Sequence, residues 1–267
     1  MPTTRCAPLL ALGTVAVLLG ACSSSSTPIS ARPVLTTPAS ASAASSAQTR
    51  APAPAPLAGQ VQVFGHSVEG RPLVALTYGA AHATRRVLVV GVIHGNESAG
   101  QSFVNRLLGE SLRTATELVV VSDLNPDGVA HGTRQNARGV DLNRNFPYRW
   151  QPGGHRGDQQ YPGTAPLSEP ESRAMATLIR RLRPTVSVWF HQPVGVVDES
   201  GGSTAVEARF SAIIGLPLRT LVRYRGSVAS WENTTYPGTT AFVVELPRHV
   251  GAALQSRAVR ALRDLVT

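Results

Sequence analysis

Residues 86–97 run Arg-Val-Leu-Val-Val-Gly-Val-Ile-His-Gly-Asn-Glu. A continuous apolar, β-branched run of this kind reads as a strand buried on both faces, which requires structure above and below its sheet. The run opens into His94 and Glu97, and an apolar-periodic helix is predicted from near Ser98 to about Leu112. A buried strand that ends in polar side chains delivers them to the carboxyl edge of a sheet, where open α/β sheets bind their ligands. Imidazole and carboxylate are both zinc ligands, and a catalytic zinc takes three protein ligands and keeps one position open. His94 and Glu97 therefore need a third partner from elsewhere in the chain. Without one they are a solvated pair at the start of a helix.

The same pattern recurs. Thr185 to Phe190 is a predicted strand ending in His191, and Thr239 to Val244 is another ending in Glu245. Together with His94 and Glu97, these strand ends bring two imidazoles and two carboxylates toward one edge. Two His and one Glu match a hydrolytic zinc site. A second carboxylate off the metal is what such a site needs as general base. The apolar flanks of Glu245 favour a raised carboxyl pKa.

Elsewhere, Val61–Phe64 and Pro72–Tyr78 form a predicted hairpin about Glu69-Gly70, and Glu117–Ser122 a further buried strand. Asn125-Pro126-Asp127-Gly128 is a turn signal. Ser168-Glu169-Pro170-Glu171 reads as a capping box opening a helix to about Arg183. Helices are also expected over Thr204–Ile213 and Val250–Val266. Strands alternating with helices give an α/β fold with a mixed, largely parallel central sheet and helices on both faces.

Residues 129–165 are rich in Gly, Arg, Asn and Pro and carry little periodicity. A loop of that length in a compact domain is usually functional. It contains Arg134 and, within Gly139–Pro147, Asp141, Asn143 and Arg144. An adjacent Arg and Asn suit a substrate carboxylate, through a forked charge-assisted pair and an amide donor. A second Arg suits the oxyanion of a tetrahedral intermediate. Asp141 competes with Glu245 for the role of base, but its place before the Asn-Arg pair favours bonding to loop N–H groups.

The amino terminus reads as a targeting segment. Arg5 precedes an apolar stretch, Leu9–Leu19, too short to span a bilayer comfortably. It ends in Leu19-Gly20-Ala21-Cys22, which resembles a bacterial lipobox. The expectation is a signal peptide over 1–21, lipidation at Cys22, and a Ser-, Ala- and Pro-rich tether over 22–57. The folded domain would occupy 58–267, anchored to the outer face of the bacterial cell membrane. Cys6 would leave with the signal, so the domain has no disulfide. All 25 basic residues are Arg and the net charge is +9, yet no basic run is interleaved with aromatics, which argues against nucleic acid.

The ordered set resembles the zinc carboxypeptidase family over about residues 60–267, and its form is similar to that of bacterial murein peptide amidases. The resemblance implies a single zinc ion held by His94, Glu97 and His191, with Glu245 as general base. It also implies that Arg134 polarises the scissile carbonyl and that Asn143 and Arg144 bind a substrate carboxylate. The implied substrate is a peptide from the cell wall, cut at a γ-D-glutamyl–diaminopimelate bond. Tyr224 is the nearest match to the family's mobile tyrosine, at a shorter spacing to Glu245. Asp198 reads as a loop turn or as a partner for a free amino group. Two rivals stand beside this. One is a deacylase of the succinylglutamate desuccinylase and aspartoacylase type, which shares His-Gly-Asn-Glu. The other is a lipoprotein that binds peptides without cutting them. A serine hydrolase has no Gly-x-Ser-x-Gly to rest on.

Overall fold

The computed structural model describes residues 59–80, 83–108 and 114–267. The leader, Cys22 and the tether lie outside the described residues. Eight strands form one sheet in the order β1-β2-β4-β3-β5-β8-β6-β7. Its centre is parallel: β4 (Glu117–Val121), β3 (Arg86–Val90), β5 (Val186–His191) and β8 (Thr240–Pro247). On one side the hairpin of β1 (Gln60–His66) and β2 (Pro72–Tyr78) adds antiparallel to β4. On the other, β6 (Val194–Asp198) runs antiparallel to β8 and carries the short β7 (Leu218–Arg219).

Side chains alternate across a strand, and both faces of the central strands are apolar because both are covered. Val87 and Val89 of β3 pack with Phe103 of α1 (Ala99–Leu108), Phe210 of α4 (Thr204–Ile214) and Leu262 of α6 (Ala252–Val266). Leu88 and Val90, one residue out of phase, pack with Met175 and Ile179 of α3 (Pro170–Leu182) and with Trp231 of α5 (Val228–Thr235). The expected α/β architecture is therefore present, with helices on both faces.

Several local expectations shift. Asn125–Gly128 is not a free turn. It starts a short helix, α2 (Pro126–His131), with the Asn125 side chain accepting from Gly128 N and Pro126 in the first turn. The capping box over 168–171 does not form. Glu169 is the residue before α3 and makes no side-chain cap, while Glu171 accepts from Val68 N at 3.0 Å and from Asn136 at 3.1 Å. Glu245 lies inside β8, which continues to Pro247 rather than ending before it. No helix among the described residues is long and apolar enough to cross a membrane.

Candidate active site

Three parallel strands and the segments that follow them build the site. β3 ends at Val90, and the chain then descends through Gly91–Ile93 to His94 and Glu97 just before α1. Gly95 is required here, because a Cβ at this position would collide with the Gly128 and Val129 backbone of α2. β5 carries His191 as its last residue. The 3-10 turn at Leu142–Arg144 brings in the long loop, held by Asp141, whose Oδ1 accepts from Asn143 N at 2.9 Å.

His94 Nδ1, Glu97 Oε2 and His191 Nδ1 lie at the corners of a triangle with every edge 3.0 Å. All three residues are buried. Ligand atoms about 2.0–2.1 Å from a tetrahedral zinc are separated by about 3.3 Å. The donor set, its size and its two facing imidazole nitrogens therefore fit one such ion. His94 Nε2 is 2.9 Å from Asp141 Oδ1, which leaves Nδ1 free to face the triangle. The pKa directions agree with a pocket made for positive charge. Burial pushes Glu97 up, but hydrogen bonds from His191 and His94 outweigh it and its pKa is lowered. Burial acts on Asp141 likewise, and His94 and Arg134 outweigh it. Burial lowers His94, while Asp141 and Glu97 more than restore it, so that its pKa is raised.

Around the triangle one cavity is lined by His94, Glu97, Arg134, Arg144, His191 and Glu245, among others. Glu245 lines it with a buried Oε2 that has no hydrogen-bond partner, and burial raises its pKa. Arg144 is only 8% exposed, makes no ion pair within 4.0 Å among the described residues, and leaves its Nε without a partner. Burial lowers its pKa. Arg134 differs: its Nη1 donates to Glu97 at 2.7 Å and its Nε to Asp141 at 3.1 Å. Its charge is already answered inside the protein. Asn143 accepts from Val228 N at 3.0 Å, and its Nδ2 lies 3.3 Å from His191 Nε2.

Tyr224 stands at the mouth, 43% exposed, with the Arg144 guanidinium 4.2 Å from its ring centroid. Its loop is fastened on both sides. Leu221 N donates to Asp198 at 2.8 Å, and Gly226 N donates to Tyr148 O at 2.7 Å. Asp198 accepts at both oxygens from Arg223, with Ser200 Oγ 2.9 Å from one of them. Asp198 is thus the last residue of β6 rather than part of a loop turn, and its carboxylate anchors the Tyr224 loop while lining the cavity.

Sequence reasoning passed over Gln192. Its N donates to Glu97 at 3.0 Å, its Oε1 accepts from Ala99 N at 3.1 Å, and its Nε2 donates to Pro247 O at 3.2 Å. It ties the start of α1 to the end of β8. The only signal for it was adjacency to His191.

A family model described as zinc carboxypeptidase matches residues 54–206. The chain belongs to the zinc carboxypeptidase family. It is accordingly a hydrolase of the metallopeptidase type. Among relatives of this zinc carboxypeptidase, murein peptide amidase A of Escherichia coli K12 is 37% identical over 185 residues, 63% of this chain and 74% of the relative. The enzyme of the same name from Vibrio campbellii is 31% identical over 69% of this chain and 78% of its own. The crystal structure of murein-tripeptide amidase from Escherichia coli O157 superposes with a TM-score of 0.66 at 29% identity, covering 77% of this chain and 91% of that one. Carboxypeptidase A from Helicoverpa armigera, at 17% identity and a TM-score of 0.68, shares the fold and covers 78% of this chain and 67% of its own.

Proposed function

We propose that this zinc carboxypeptidase is an exported, lipid-anchored amidase that cuts cell-wall peptides beside a free carboxylate, at a γ-D-glutamyl–diaminopimelate bond. The observation that carries the reading is Arg144, a buried guanidinium without an acidic partner, in the same cavity as the His94–Glu97–His191 triangle. A buried charge without a counter-ion is costly, and a substrate carboxylate supplies the missing one. The relatives named murein peptide amidase support the choice of substrate.

His94, Glu97 and His191 would hold one zinc ion. When bound, zinc supplies Lewis acidity to the scissile carbonyl and to the attacking water. Arg144 grips the substrate carboxylate, with the Asn143 amide beside it. That fixes the amide bond between the triangle and Glu245. Arg134, whose Nη1 engages Glu97 and whose Nε and Nη2 engage Asp141, gives up one of these contacts to meet the developing oxyanion. Glu245, kept basic enough by its buried site, takes the proton of the attacking water and passes it to the leaving nitrogen. Tyr224 and the loop tied down by Asp198 close one side of the cavity and exclude water. Lipidation of Cys22 and the 22–57 tether hold the domain at the outer face of the membrane.

The test is mass spectrometry of muropeptides incubated with the zinc-loaded chain. Release of the diaminopimelate-containing fragment is expected from free-acid peptides and not from peptides amidated at that carboxylate. Arg144→Ala should lower kcat/KM by about 10²–10³-fold on the free acid, and Arg144→Lys should not restore it. Equal turnover of free-acid and amidated peptides contradicts the reading.

A further inference from the structure

Beyond Arg144, away from the triangle, lies a second and larger groove of about 490 Å³. It shares Arg144, Arg223 and Tyr224 with the cavity just described, but neither the three candidate ligands nor Glu245 lines it. One wall is the 223–225 segment. Gln151, Gly153 and Gly154 also line it, and Arg225 reaches the Gln151 side chain.

The charges along this groove do not balance. Arg223 is neutralised by Asp198 at 2.9 Å. Arg225 donates to the neutral amide of Gln151 and has no acid within 4.0 Å among the described residues. Arg144 has none either. Asp158 is the acid that lines the groove, and it is occupied by His155 N at 2.7 Å. Two uncompensated guanidinium groups therefore flank Tyr224, one buried and one exposed.

We propose that this groove is a second anion subsite, in which Arg225 takes a carboxylate carried farther along the leaving amino acid than the one held by Arg144. The inference rests on the proposed function for the direction in which the substrate lies and for its dicarboxylic leaving group, and what it adds is the residue that reads the second carboxylate, Arg225. Arg225 can meet the second one with a forked pair, and the exposed setting limits its worth. Arg225 determines specificity and takes no part in bond cleavage.

Free 2,6-diaminopimelate and lysine are the probes, because they differ by a single carboxylate. Binding of each to the zinc-loaded full chain is measured by calorimetry at low salt, for the parent, Arg225→Gln and Arg225→Lys. The parent should bind diaminopimelate about three- to tenfold more tightly than lysine, and the advantage should shrink at high salt. Arg225→Gln should bring the ratio to about one without changing the lysine affinity, and Arg225→Lys should keep part of it. A ratio of one in the parent, an unchanged ratio in Arg225→Gln, or no measurable binding of either acid overturns the proposal. Muropeptide cleavage is read separately, so a chain that cuts muropeptides with no preference here loses the subsite alone. A chain that shows the preference but cuts none keeps the subsite and loses the proposed function.

Discussion

Glu245 lies directly opposite His191 in the parallel ladder between β5 and β8. Registered partners in a parallel pair point to the same face, so the candidate base and a candidate metal ligand project into one cavity from adjacent strands. The antiparallel pairing of Glu245 with Val196 of β6 holds it from the other side. The pair is set by hydrogen-bonded backbone rather than by a loop, and rigid elements hold reacting groups best.

Replacement of Glu245 by Gln keeps the shape and removes the base. Zinc content and substrate affinity should be unchanged, while kcat falls by about 10²–10⁴ or more, since one residue serves both proton transfers. Stopped-time assays on the zinc-loaded variant check this. Turnover within a few-fold of the parent would overturn the role of Glu245.

Much of this site was legible in the sequence because a buried parallel strand writes itself as an unbroken apolar run. The polar residue that interrupts the run is then conspicuous, as with His94, His191 and Glu245. Helix α6 was equally plain from its amphipathic period, whereas α3 was marked only by Pro170 in its first turn, because the expected capping box does not form. What escaped was short or held by tertiary contact. β6 begins beside Gly195, which has positive φ, and β7 is two residues long, so neither has a pattern. α5 is a mix of Ser, Thr, Asn and Trp whose clearest mark is the Ser227 cap. At 125–128 the Asn-Pro pair was a helix start, Asn cap and Pro in the first turn, rather than a turn. The saturation of Asp198 by Arg223 and Leu221 joins residues more than twenty positions apart, and no local spacing encodes it.

Asp141 was expected to fix its loop, and it does so at Asn143 N. Its Oδ1 also meets His94 Nε2, which makes it an orienting residue for the ligand set. Asp141→Asn should therefore weaken zinc binding by about 10–100-fold in competition with a chelator. Unaltered zinc affinity with a disordered loop would restrict Asp141 to the loop alone.

Glu232 on α5 is fully buried between Ser187 Oγ at 2.6 Å and Trp189 Nε1 at 2.8 Å. Burial pushes its pKa up to about 7, against the pull of those two hydrogen bonds. The folded chain thus holds a proton that the unfolded chain releases near pH 4.5. The resulting stability is complete below that pH and is lost as pH rises through about 7. Glu232→Gln keeps both hydrogen bonds and cannot ionise. Relative to the parent it should gain about 3 kcal/mol between acid and mildly alkaline pH, read as a divergence of unfolding midpoints. Parallel pH profiles for the two proteins would show that Glu232 does not titrate in this range.

The anchor is tested by fractionation. Cys22→Ser should move the protein from the membrane to the soluble fraction while leaving kcat/KM unchanged, because acyl burial is worth about 0.8 kcal/mol per CH₂ and the site is remote in sequence. Retention in the membrane fraction would count against lipidation at Cys22.

The central claim is that His94, Glu97 and His191 form a single zinc site on which hydrolysis depends. Titration of the metal-stripped chain with zinc, following peptide hydrolysis and bound metal together, tests it most directly. Activity should rise in proportion to bound zinc and saturate at one ion per chain, and His94→Ala, Glu97→Ala and His191→Ala should each lose both. Full activity in the stripped chain, or stoichiometric zinc binding in all three variants, would contradict it.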